Sequence, residues 1–193
     1  LPILDSVELN LAARYDDYSD FGSNVSPKAS VRWQALDNVV VRASYSESFR
    51  APQLDQLYAA QSFSADSGID YPYCAGQGIS DLDCTSQQYD TYISANADLG
   101  AETSEYVNLG IAWDIVDDFG IKLDYFDLNI DNVISRRSIT NVMAGIDAGT
   151  LATSDTFYVT RAPGNPGRAL EVGTGFGNGD KLQISGVDLT FNG

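Results

Sequence analysis

Six stretches of this chain alternate apolar and polar residues with a period of two, and the links joining them are long and short in strict turn. Period two is the mark of a β-strand with one greasy face. Over residues 5–15, Val7, Leu9, Leu11, Ala13 and Tyr15 share a side, with Ser6, Glu8, Asn10, Ala12 and Arg14 opposite. Ala29, Val31, Trp33 and Ala35 do the same over 27–36, and Val39, Val41, Ala43 and Tyr45 over 38–47. Further strands read over 103–115, 119–134 and 182–192. The links between them run to about ten, three, fifty-five, five and forty-seven residues. In an antiparallel up-and-down meander, that order places every long link at one end and every short turn at the other.

Two loops of about fifty residues on one rim, 48–102 and 135–181, are unusual for a water-soluble sandwich. Outer-membrane barrels place long loops on one side and short turns on the other as a rule. The aromatic residues fit the same picture. Trp33, Trp113 and Phe191 fall near the short-turn end of the apolar faces, and Tyr15, Tyr45 and Tyr125 near the long-loop end. Two aromatic levels around an aliphatic zone suit the two interfaces of a bilayer. The expectation is an all-β chain, an antiparallel up-and-down meander of about six strands. A sandwich whose inner face carries the same alternation is the rival. Two details qualify the strands. Leu128 and Ile130 leave the phase of Ile121, Leu123 and Tyr125, which predicts a bulge near Phe126–Leu128, and Gly186 marks another possible change of phase. In the second loop, ITNVMAGIDAGTL carries a helical period that its two glycines weaken.

Composition narrows the function. A net charge of −16 with 11 basic residues argues against nucleic acid as a partner and against a basic membrane-binding patch. No run of about 18 apolar residues forms a transmembrane helix, a test to which barrel strands are blind. LPILDSVELN has neither the basic start nor the apolar core of a secretion signal. Without histidine there is no Ser-His-Asp or Cys-His arrangement. The glycine-rich 173–179 lacks the strand-to-helix setting of a phosphate cradle. Asp16–Asp17 and Asp117–Asp118 are chain neighbours in turns and do not converge on a substrate. An enzyme is not expected, nor a cofactor. Cys74 and Cys84 are the only cysteines, set in a polar, tyrosine-rich segment. A disulfide formed in an oxidising compartment is the favoured reading; a zinc site would need Asp81 or Asp83 to complete it.

SYSESFRAPQLDQLY, residues 44–58, resembles a strand end and loop start of TonB-dependent outer-membrane receptors, through Ser48, Phe49, Arg50, Ala51 and Pro52. NADLGAETSEYVNLGIAW resembles the segment that introduces the family's next strand, matched at Asn96, Leu99, Glu102, Thr103 and Ser104. Ala97 and Ala101 stand where prolines are usual. LDYFDLNIDNVIS and SGVDLTF are similar to later strands, and residues 14–33 to an upstream hairpin. The resemblance covers almost the whole chain, 1–193, in the family's order. It implies a segment of a 22-stranded barrel in the outer membrane of a Gram-negative bacterium, with two long extracellular loops and no plug domain. It further implies contact with outer-membrane lipid and a TonB energy-transducing complex that acts through the absent plug. The ligand would be a scarce nutrient such as an iron-siderophore or another metal chelate, or an oligosaccharide. The isolated segment would self-associate through its apolar face and open edges. The rival from another class is a secreted soluble sandwich that binds carbohydrate or protein.

On this reading the strand that ends at Glu47–Pro52 leaves the bilayer there. Arg50 projects to the lumen as a ligand or plug contact, or pairs locally with Glu47 or Asp55. Tyr58, Tyr71, Tyr73, Tyr89 and Tyr92 offer rings with hydroxyl handles for an aromatic or sugar ligand. The alternative is a loop core packed on itself and clamped by Cys74 and Cys84. Arg136, Arg137, Arg161 and Arg168 in the second loop either attract an anionic chelate or pair internally with this chain's many carboxylates.

Overall fold

The computed structural model describes residues 6–19 and 22–193, which fall into two compact units. Asp5, at the start of the first expected strand, and Asp20–Phe21, in the first expected link, lie outside the described residues.

The first unit, made of residues up to 51 with 100–133 and 179–193, is a single sheet. Its strands are β1 (Val7–Tyr18), β2 (Gly22–Leu36), β3 (Val39–Arg50), β6 (Glu102–Val116), β7 (Phe119–Arg136) and β9 (Ala169–Asn192). They are ordered β1-β2-β3-β6-β7-β9. Both short links are tight turns, at Asp37–Asn38 and Asp117–Asp118, each beside a register shift, at Gln34/Leu36 and Asp114/Val116.

The strands run further than their alternation predicted. β1 reaches Tyr18, β2 begins at Gly22 and β3 continues to Arg50. The expected ten-residue first link is therefore shortened, with Tyr18 paired to Gly22. Beyond Tyr15 these strands are mostly polar on both faces, with Tyr18 and Phe49 packed edge-on at 6.0 Å, so the alternation that marks a strand fades while the hydrogen-bonded ladder does not.

Register aligns the apolar residues in rows. Leu9 lies opposite Val31, Val31 opposite Ala43, Ala43 opposite Leu109, and Leu109 opposite Tyr125. One row out stand Leu11, Ala29, Tyr45, Val107 and Asp127; one row in stand Val7, Trp33, Val41, Ile111 and Leu123. Among the described residues of the unit nothing covers this face: Leu9, Leu109 and Val187 are 64%, 51% and 63% exposed. A sandwich would bury them between two layers, so the sandwich reading fails here.

The bulge expected at Phe126–Leu128 is absent. β6 and β7 pair without interruption from Thr103–Asp131 to Asp114–Gly120. The apparent phase switch has another cause. Past Tyr125 the face that was apolar carries Asp127, Asn129 and Asp131, while Phe126, Leu128 and Ile130 lie on the other. The chemistry of the two faces inverts at one level and the geometry continues.

The second unit, residues 52–99 and 134–178, occupies the two stretches read as long loops. They are largely ordered into elements. The unit contains α1 (Leu54–Tyr58), β4 (Ser62–Gly68), α2 (Tyr71–Gly76), β5 (Gln87–Ser94), α3 (Ile139–Asp147), β8 (Tyr158–Arg161) and the first part of β9. β4 pairs antiparallel with β5, β5 parallel with β9, and β8 antiparallel with β9. The helix suggested by ITNVMAGIDAGTL forms as α3, capped by Ser138, whose hydroxyl accepts from the Asn141 amide at 3.2 Å. Its buried face, Ile139, Val142 and Met143, joins Tyr89, Phe157, Ala169 and Val172 in one core. A smaller cluster gathers Leu57, Leu99 and Ile134 with Phe176.

Candidate functional site

The polar face of the sheet is a network of cross-strand ties. Arg42, Gly110 and Asp124 stand side by side on β3, β6 and β7. The Arg42 guanidinium passes over Gly110 and donates to Asp124 from Nη2 at 2.5 and 2.8 Å and from Nε at 3.1 Å. A Cβ on Gly110 would lie 2.2 Å from Asp124 Oδ1, so the crossing requires glycine. Further out, Ser48 and Ser104 share a hydrogen bond at 2.7 Å. Arg50 then grips Glu102 with two hydrogen bonds, at 2.6 and 2.5 Å. This bond to Glu102 raises the Arg50 pKa further above its ordinary value, although burial opposes it. The partner of Arg50 is thus Glu102, 52 residues away, and neither Glu47 nor Asp55. Glu47 sits on the opposite face and accepts from the Tyr45 hydroxyl at 2.6 Å.

In the second unit the organising residue is Asp70, buried to 2% exposure. Its carboxylate accepts from the Tyr73 amide at 3.2 Å, capping α2, and from the Ala169 amide at 3.1 Å. Arg161 donates to both of its oxygens, at 2.8 and 3.1 Å. One buried carboxylate therefore ties α2, β8 and β9 together. Cys74, in α2, is disulfide-bonded to Cys84, with a Cα–Cα distance of 5.9 Å, so neither sulfur is available to a metal.

Beside this bridge lies a cavity of about 260 Å³. Tyr73, Ile79 and the disulfide line one part of it; Asp70, Asp83, Tyr89 and Arg168 are also in its wall. Tyr89 is 4% exposed, and its hydroxyl has no hydrogen-bond partner among the described residues. Burial raises the Tyr89 pKa, and the nearby Asp70 carboxylate adds to the rise, while Arg168 and Arg161 oppose it.

The six ligand residues expected from sequence are not brought to one place. Tyr73 and Tyr89 line the cavity, Tyr89 with its ring in the core. Tyr71 opens α2 and is half-buried, Tyr58 ends α1 in solvent, and Tyr92 packs edge-on against Phe63 at 5.6 Å. Arg50 belongs to the sheet unit. Of the four second-loop arginines, Arg136 pairs with Asp66 and Arg161 with Asp70. Arg137 donates to the Asn178 carbonyl and lies over the Phe157 ring. Arg168 alone of the four has no side-chain partner among the described residues. Sequence reasoning missed Asp70. An acidic residue directly before Tyr-Pro is a helix-capping signal that would have singled it out.

The family model for "TonB dependent receptor-like, beta-barrel" matches residues 1–193. The chain belongs to this receptor family. TonB-dependent receptors are transporters found in the Gram-negative outer membrane, and the chain is a receptor segment, not an enzyme. Its fold is similar to that of the siderophore receptor PirA from Acinetobacter baumannii, with a TM-score of 0.67 at 19% identity. It resembles PirA from Pseudomonas aeruginosa at a TM-score of 0.60 and 22% identity. The ferric enterobactin receptor PfeA of the same species, in an R480A/Q482A mutant form, gives 0.65 and 22%. These alignments cover 98%, 96% and 98% of this chain but 24%, 28% and 22% of those receptors. The chain thus spans about a quarter of their length, and its open sheet is a section of barrel wall.

Proposed function

We propose that the chain is part of an outer-membrane receptor that captures a scarce nutrient, such as an iron-siderophore, at the surface of a Gram-negative cell. Import is driven by the TonB complex acting through a plug domain of the full-length protein. The observation that carries the reading is the level at which the exposed face changes. Tyr15, Tyr45 and Tyr125 sit on that face, and Asp17, Glu47 and Asp127 stand two residues further along the same strands. The Tyr45 and Tyr125 hydroxyls donate outward to Glu47 and Asp127, at 2.6 and 3.3 Å. On β9, Gln183 reaches Asp127 and Lys181 pairs with Asp131, while Val187, Leu189 and Phe191 continue the apolar band. Rings in an apolar layer with hydroxyls turned to water are what a bilayer interface selects. From Val7 to Tyr15 is eight steps of about 3.3 Å, about 26 Å along the strand, which a tilt of about 35–45° turns into about 19–22 Å of an apolar band of about 25 Å.

The apolar face then meets lipid and the Arg42–Asp124 face lines the lumen. Tyr73 and Tyr89 are the proposed ligand contacts at the cavity, with Tyr58, Tyr71 and Tyr92 as outer contacts and Arg50 as a tie at the barrel rim. The test is uptake by the parent bacterium under iron limitation. Deleting the full-length gene should abolish accumulation of one radio-iron chelate, as should loss of TonB. Unchanged uptake of iron chelates, cobalamin, haem and oligosaccharides in the deletion strain would reject the reading.

A further inference from the structure

The cavity beside the disulfide brings a tyrosine hydroxyl open to solvent and an arginine into one lining. Tyr89 is 4% exposed, its ring is packed in the core, and its hydroxyl meets no protein acceptor or donor among the described residues. Tyr89 lines a space of about 260 Å³, large enough for a single ring bearing one polar group. On the same wall Arg168 presents a guanidinium with no carboxylate partner, in a chain of net charge −16 where Arg136 and Arg161 are both paired. Its backbone is held, since its carbonyl accepts from the Ala162 amide at 2.9 Å. Two carboxylates share the wall, and only one of them is neutralised. Asp70 is neutralised by Arg161, and Asp83 accepts from the Ser80 hydroxyl at 2.6 Å. The rest of the lining is the Tyr73 ring, Ile79 and the disulfide, with the polar Thr85 and Gln87.

We propose that this cavity is a subsite for a ring-borne monocarboxylate, whose oxygens are held by the Arg168 fork and the Tyr89 hydroxyl while its ring lies against Tyr73, Ile79 and the disulfide. A planar fork of N–H donors matches a carboxylate in two-point contact, and the phenol supplies the third donor. Asp83 on the same wall selects against a second negative charge, so a dianionic phosphate ester is disfavoured. The Cys74–Cys84 bridge has a role here beyond stability, because it fixes one side of the pocket. This inference deepens the receptor reading and rests on it for its place in nutrient capture. Binding is measured apart from uptake, so the failure of one is distinguishable from the failure of the other.

The probe is 4-fluorobenzoate, followed by fluorine NMR with the refolded full chain in detergent micelles. Saturable binding at a Kd of about 1 mM or tighter is expected, with neutral 4-fluorobenzamide showing none. Arg168→Gln, at an exposed position, should weaken benzoate at least about tenfold, and Tyr89→Phe about three- to tenfold with the core intact. No saturable benzoate binding, equal binding by Arg168→Gln, or equal or tighter binding of the benzamide or of 4-fluorophenyl phosphate would overturn the assignment.

Discussion

Removing Asp70 should loosen the second unit and leave the sheet unit unchanged. In Asp70→Ala the Tyr73 and Ala169 amides lose their acceptor, and Arg161 keeps only Asp147 at 3.6 Å and the Gly167 carbonyl at 2.9 Å. Asp70 is 2% exposed and the Arg161 side chain 16%, so water from the adjoining cavity replaces the lost carboxylate only in part. Breaking such a buried pair from one side costs about 3–5 kcal/mol, because the stranded charge adds its own penalty. Each 1.4 kcal/mol is about tenfold in an opening equilibrium, so protection should fall by about two to three and a half orders of magnitude. Amide hydrogen exchange in micelles reads this at Val142, Met143 and Val172, which are fully buried in the core that Asp70 closes. Trp33 and Trp113, both in the sheet, should keep their emission and their denaturation midpoint. A double replacement, Asp70→Leu with Arg161→Met, removes both charges and should recover most of the loss. A change below about threefold in protection, or a double replacement as damaging as the single one, would refute the assignment of Asp70 as the organising residue.

Opening the Cys74–Cys84 loop by a double serine replacement should cost the second unit about 2–3 kcal/mol, read by the same exchange experiment. Burial and the Glu171 carboxylate raise the Tyr158 hydroxyl to about 12, above its ordinary value near 10. A raised pKa means that the folded state holds the proton more tightly. The contribution is therefore complete below about pH 10 and lost as pH climbs through about 12. Melting followed by tyrosine near-ultraviolet circular dichroism should show that loss, reduced in Tyr158→Phe, which keeps the ring over Gly173. Gly110→Val should destabilise the sheet by about 1–3 kcal/mol through displacement of the Arg42–Asp124 contact, measured by urea unfolding with tryptophan emission.

The strand pattern was legible where one face is apolar and the other polar, because only there does period two leave a trace. Val7–Tyr15 and Val39–Tyr45 could be read directly. Asp16–Tyr18 and Gly22–Ser26 could not, since Val25 and Tyr18 alone interrupt their polar run and set no period. Leu128 and Ile130 misled for the opposite reason: the apolar side changes there without any change in backbone register. The long loops hid β4, β5 and β8 because these strands are short and set among helices, and because in β5 Thr91 fills a core position where an apolar residue would have marked the pattern; Thr174 does the same in the first part of β9. The partner of Arg50 was out of reach, being set by a strand register across 52 residues. Asp70 was legible as a cap but not as an ion-pair hub, since nothing local to it names Arg161, 91 residues on.

Nitroxide accessibility in liposomes, with the full-length protein, tests the lipid-facing assignment most directly. Labels at Leu9, Val31 and Leu109 should collide with oxygen and be shielded from a water-soluble nickel chelate, while labels at Glu47 and Glu105 should show the reverse. Labels at Leu9 and Leu109 that are shielded from both reagents would mean that this face is packed against protein and does not meet lipid.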